Sequence, residues 1–133
     1  MENGLDGGPI PSDLNYLIGL EELNLYYNSI TGKIPSLHKL EALETIDLDG
    51  NLLTGTVPAS VFSLPQLKNL FLLNNENLGG TIPDFKEGSA IESVSFFGCS
   101  FTGSIPSSIG LVSNLRFFQM KDNNLSGTCR WYV

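Results

Sequence analysis

With 133 residues and 41% hydrophobic content, the chain suits one domain with a packed core, which excludes global disorder. Seven basic residues against 14 acidic ones give a formal charge of −7, which argues against nucleic acid or an anionic membrane surface as the main partner. No apolar run reaches the length of a membrane-spanning helix, and "MENGLDGG" lacks the basic start and apolar core of a signal peptide.

In chain order, Asn3, Leu5, Gly8, Ile10 and Pro11 open on a partial copy of a pattern that then repeats. Residues 20–35 read "LEELNLYYNSITGKIP", 43–58 "LETIDLDGNLLTGTVP" and 67–83 "LKNLFLLNNENLGGTIP". Residues 91–106 read "IESVSFFGCSFTGSIP" and 115–129 "LRFFQMKDNNLSGTC". The copies start at 20, 43, 67, 91 and 115, so the steps are 23, 24, 24 and 24. The chain therefore divides into a partial coil 1–19, coils 20–42, 43–66, 67–90 and 91–114, and a partial coil 115–133, all within one repeat domain. The third copy carries one extra residue, since Leu78 lies three after Asn75 where Leu53 lies two after Asn51. "PSLHKL" and "PDFKEG" are each one residue shorter than "PASVFSL".

Each position of the pattern has a physical reading. Leu23 and Leu25 alternate with Glu22, Asn24 and Tyr26, so a short strand buries one face, and neighbouring copies pair into a parallel sheet. Asn28, Asn51, Asn75, Cys99 and Asn123 form an inward column, in which an amide supplies both donors and acceptors to buried turn groups. Gly32, Gly55, Gly80, Gly103 and Gly127 fit a turn with a sterically open backbone. Pro35, Pro58, Pro83 and Pro106 preset φ as the chain leaves the sheet. Val61, Leu64 and Leu67 fit one face of a short helical turn. A coil of this kind cannot bury its apolar face alone, so the string recurs.

The pattern resembles the leucine-rich repeat in its plant-specific subtype, through Thr31-Gly32-Lys33-Ile34-Pro35, Thr54-Gly55-Thr56-Val57-Pro58, Gly80-Thr81-Ile82-Pro83 and Thr102-Gly103-Ser104-Ile105-Pro106. The resemblance implies an α/β fold, a right-handed horseshoe solenoid. It would have a parallel concave β-sheet and short 3₁₀ or irregular convex segments. It also implies a second short strand in each "L-x-G-x-I-P" half and a non-catalytic scaffold that binds protein or peptide on its concave face. Family members include receptor-like kinases, receptor-like proteins and secreted inhibitors of wall-degrading hydrolases. The expected parent is a receptor-like protein or kinase, extracellular or membrane-attached through other segments, and the alternative is a free-standing hydrolase inhibitor. The family's cysteine-paired cap is not spelled here, which implies a fragment or else a short protein that self-associates end to end.

The resemblance places ligand contacts at the outward strand positions Glu22, Asn24, Tyr26, Tyr27, Asp47, Asp49, Phe71, Leu73, Ser95, Phe97, Phe117, Gln119 and Lys121. Tyr26, Phe71, Leu73, Phe97 and Phe117 are apolar where polar residues would suit water better, which points to a docking surface. Glu22, Asp47 and Asp49 sit at adjacent outward positions. Ca²⁺ ligation is one reading, and a solvated acidic face that attracts a basic ligand is the preferred one. Acid is concentrated there: residues 1–49 hold nine acidic and two basic residues (−9 + 2 = −7), and the remainder holds five of each. Cys99 reads as a buried structural thiol, Cys129 as core or cap, with a disulfide between them disfavoured because they occupy different columns. The single histidine, His38, has no acid or base partner at a meaningful spacing, so no catalytic site, metal or cofactor is expected. Asn124-Leu125-Ser126 is a glycosylation sequon that the repeat would spell anyway.

Overall fold

The computed structural model describes residues 7–126. The chain winds into a solenoid in which each coil contributes one strand to each of two parallel five-stranded sheets. The concave sheet contains β1 (Glu22–Asn24), β3 (Thr45–Asp47), β5 (Asn69–Phe71), β7 (Ser93–Ser95) and β9 (Phe117–Gln119), neighbouring in that order. The second sheet contains β2 (Thr31–Lys33), β4 (Leu52–Thr56), β6 (Asn77–Thr81), β8 (Ser100–Gly103) and β10 (Asn124–Leu125).

The two sheets stack differently. In the concave sheet, Leu23 pairs with Ile46, Ile46 with Leu70, Leu70 with Val94 and Val94 with Phe118, so equivalent positions of the repeat face each other. In the second sheet, Gly32 pairs with Leu53, Gly55 with Leu78 and Gly80 with Phe101, each partner lying two positions before the next glycine. The second sheet is thus staggered by two residues per coil. The glycine column, which fits a turn by its open backbone, lies within the second strands that the resemblance implied. At Gly80, φ is +76° and a β-carbon would lie 2.5 Å from Thr56 Cγ2 of the preceding coil. Both the backbone and the neighbouring coil require a residue without a side chain there.

Three convex segments contain a helical turn: Ser12–Tyr16 and Ser107–Leu111 as 3₁₀ turns and α1 (Ala59–Phe62). Pro11, Pro58 and Pro106 precede them with φ of −72°, −60° and −64°. The one-residue-shorter segments after Pro35 and Pro83 form turns without a helix.

The core runs continuously through the coils. Leu37, Leu40, Leu43, Leu48, Leu53, Leu67 and Leu72 are fully buried in the early and middle coils. Farther along, Phe62 meets Phe85 edge-on at 5.1 Å and Phe96 at 6.2 Å, while Phe96 meets Phe101 at 4.7 Å. Burying one such ring stabilises by about 1.5–3 kcal/mol, so each coil interface rests mainly on these columns.

Candidate ligand-binding face

The in-register pairing lays Asn24, Asp47, Phe71, Ser95 and Gln119 side by side on the open face of the concave sheet. Backbone bonds continue past the strands. Tyr27 N donates to Asp49 O at 2.7 Å, Gly50 N to Leu73 O at 2.7 Å, Asn74 N to Phe97 O at 2.8 Å and Gly98 N to Lys121 O at 3.2 Å. These bonds fix a second column of Tyr26, Asp49, Leu73, Phe97 and Lys121. Read along the sheet, that column passes from an aromatic and an acid, through two apolar residues, to a base.

Polar side chains of the face tie neighbouring coils together. Asn69 Nδ2 donates to Thr45 Oγ1 of the preceding coil at 3.1 Å, and within one strand Asn24 Nδ2 donates to Glu22 Oε1 at 3.3 Å. Beside the face, Lys68 Nζ meets Glu44 Oε2 at 3.0 Å, a partly exposed pair worth about 0–1 kcal/mol. Asp49 Oδ1 accepts the Leu73 N–H at 2.7 Å, and Asp47 Oδ1 accepts the Asp49 N–H at 3.2 Å. Burial pushes the Asp49 carboxyl up to about 6; the Leu73 N–H opposes this and the Asp47 charge adds to it. Burial also raises Asp47, opposed by the Asp49 N–H and assisted by the Glu22 charge. Among the described residues, no group of three or more His, Cys, Asp or Glu side chains is placed to hold a metal ion.

Beneath the face lies the ladder. Asn51 Nδ2 donates to Leu25 O at 2.9 Å and Leu48 O at 3.0 Å, while its Oδ1 accepts the Ile30 N–H at 3.1 Å. Asn75 repeats this with Leu48 O, Leu72 O and the Leu53 N–H, and Asn123 with Phe96 O, Met120 O and the Phe101 N–H. Asn28 donates to Leu25 O at 3.0 Å. Cys99 keeps the donor half, with Sγ 3.0 Å from Leu72 O, and burial pushes its thiol up to about 11. Cys99 is buried within this column.

Residues 18–59 match the family described as leucine rich repeats (2 copies). Receptor-like protein 31 of Arabidopsis thaliana is 38% identical over 77 residues, covering 56% of this chain and 9% of that protein. The crystal structure of the LRR ectodomain of the receptor kinase SOBIR1 from the same plant superimposes with a TM-score of 0.82 at 31% identity, covering 93% of this chain and 68% of that one. The chain belongs to the leucine-rich-repeat family. The Arabidopsis receptor kinase HAESA, in complex with the peptide hormone IDA and the co-receptor SERK1, superimposes with a TM-score of 0.85 at 26% identity, covering 90% of this chain and 20% of that one. The chain spans between 6% and 9% of the length of four curated receptor-like relatives from Arabidopsis thaliana.

Within this leucine-rich-repeat frame, most residues expected on the concave face are on it, with differences in access. Tyr26, Tyr27 and Phe117 are 36%, 52% and 48% exposed, while Phe71, Leu73 and Phe97 are half-buried between neighbours. Ser95 departs from expectation. It lies on the open face yet is buried, because neighbouring coils close over so small a side chain and its Oγ bonds Gln119 Oε1 at 3.3 Å. Tyr27 is not a strand residue: it has φ of 50° in the turn that follows. Gly50, Asn74, Gly98 and Asp122 share that position with φ of 65°, 56°, 71° and 58°. This left-handed column was missed in the sequence. Its signal was the Gly, Asn or Asp immediately before four of the five ladder residues.

Around His38 the neighbours are hydroxyls: Ser36 Oγ lies 3.1 Å from its Nδ1 and 3.1 Å from Ser60 Oγ of the next coil, on an exposed convex segment. Asn124 is exposed in β10, which leaves the sequon accessible. Gly127, Cys129, Asn3 and Leu5 lie outside the described residues. Among the described residues, no helix is long and apolar enough to cross a membrane.

Proposed function

We propose that this chain is a non-catalytic peptide- or protein-binding module from the extracellular part of a plant receptor-like protein or receptor-like kinase, and that it binds through the open face of its concave sheet. The observation that carries this reading is the apolar run Tyr26, Phe71, Leu73, Phe97 and Phe117, presented on a sheet face that the fold does not use for its own core. Half-exposed aromatics there, rimmed by amides and charges, suit an extended partner. The peptide complex of the structurally similar HAESA supports a peptide as that partner. The non-catalytic reading is supported by the likeness to receptor ectodomains such as that of SOBIR1.

The test is alanine substitution at Phe71 and Phe97. Both variants should weaken partner binding, and their melting temperatures should stay close to that of the parent. A large fall in melting temperature without a binding defect specific to the face would assign these rings to stability instead.

A further inference from the structure

The concave face is not uniform along the solenoid. Glu22, Asp47 and Asp49 occupy the first coils, Phe71 and Phe97 the middle ones, and the column through Asp49 ends in Lys121. Among the described residues, the ion pair is Lys68–Glu44, beside the face, so the three carboxylates have no cationic partner. Their bonds go to neutral groups: the Asn24 amide, the Asp49 N–H and the Leu73 N–H. On the face itself Glu22, Asp47 and Asp49 put negative charge at one end and Lys121 puts positive charge at the other. Next to the acids, Tyr26 meets Tyr27 edge-on at 5.9 Å and 90°. The Tyr27 ring lies over the Gly50 α-carbon, where a β-carbon would come within 2.7 Å of it. Rings held this way can also present a π face to a cation.

Resting on the reading that this face binds peptides, we propose that it takes an extended peptide that is basic at one end. A Lys or Arg side chain sits over Tyr26, Asp47 and Asp49, and an apolar side chain sits over Phe71 and Phe97. Neighbouring strands are about 4.8 Å apart, so β3 to β7 spans about 10 Å, or about three residues of extended peptide. The basic and apolar residues of the ligand should therefore be two to three positions apart. A ligand basic throughout is disfavoured by Lys121 at the far end.

The test uses a random 12-residue peptide library displayed on phage and selected on the whole immobilised chain. Selected sequences are then made synthetically and titrated by fluorescence anisotropy. Asp47→Asn/Asp49→Asn is a suitable variant because each Asn keeps the oxygen that accepts its backbone N–H, and Glu22→Gln at an exposed position is a second one. The expected result is a shared basic residue two to three positions from an apolar one. Affinity should fall about tenfold or more in the double variant, with a smaller loss for Glu22→Gln and weakening at high salt. Peptides that depend on Phe71 and Phe97 but carry no basic residue, or bind the carboxylate variants unchanged, would overturn this inference alone. Selection of no peptide, or of peptides indifferent to every substitution on the face, would overturn the peptide-binding reading with it.

Discussion

Two departures from the repeat sit in adjacent coils and satisfy each other. In the ladder, Asn51, Asn75 and Asn123 each accept one N–H of the preceding coil, from Ile30, Leu53 and Phe101. Cys99 is the ladder residue whose equivalent donor would be the Leu78 N–H, and a thiol accepts poorly. Leu78 N instead donates to Asn75 O at 3.0 Å, a three-residue turn that requires the extra residue Glu76. Deleting Glu76 should leave the Leu78 N–H buried opposite Cys99 without an acceptor, costing about 1–3 kcal/mol. Cys99→Asn in the parent should gain little, because its oxygen would find that N–H already used. In the deletion background the same substitution should recover most of the loss. The carbonyl of Glu76, which accepts Ser100 Oγ, is replaced by that of Asn77 in the shortened turn, so that contact is common to both arms of the cycle. Urea unfolding of the four proteins, followed by circular dichroism and fluorescence to confirm coincident transitions, gives the coupling. A coupling of about 1–3 kcal/mol is expected, and additivity within about 0.5 kcal/mol would refute the pairing.

Three further outcomes are expected. Asn51→Ala removes an amide that joins two coils through Leu25 O, Leu48 O and the Ile30 N–H, and should cost about 1–3 kcal/mol in urea unfolding. Asp49 has a folded pKa of about 6 against an ordinary 3.8, so the folded chain holds more protons between these values and stability falls as pH rises through that window. Asp49→Asn should therefore raise the melting temperature at pH 7.5 relative to the parent, and the difference should shrink toward pH 4. Gly80→Ala meets both a positive φ and Thr56 Cγ2, and should cost at least the roughly 1–2 kcal/mol of a left-handed residue; adding Thr56→Ser should return only the part due to the contact.

The solenoid was legible in the sequence because its period and its columns are written in residue types with one role each. Leucine spacing located the concave strands, the asparagine column located the ladder, and the shorter post-proline segments coincide with the coils that lack a helical turn. What stayed hidden depends on the stacking between coils rather than on any one copy. The two-residue stagger of the second sheet appears only when Gly32 is seen opposite Leu53. Ser95 reads as outward by alternation, yet its access is decided by the neighbouring coils. The left-handed column was written as Gly50, Asn74, Gly98 and Asp122, and Tyr27 at its head concealed it.

Side-chain protection on the concave face tests the binding proposal most directly. Hydroxyl-radical footprinting of the chain, with and without a selected peptide, reads Tyr26, Phe71, Phe97 and Phe117 on that face. Tyr16, 78% exposed on a convex segment, is the internal control. If the face is the docking surface, Tyr26, Phe71 and Phe97 lose reactivity and Tyr16 does not. Protection of Tyr16 with the concave rings unchanged would place the partner on the convex side and contradict the proposal.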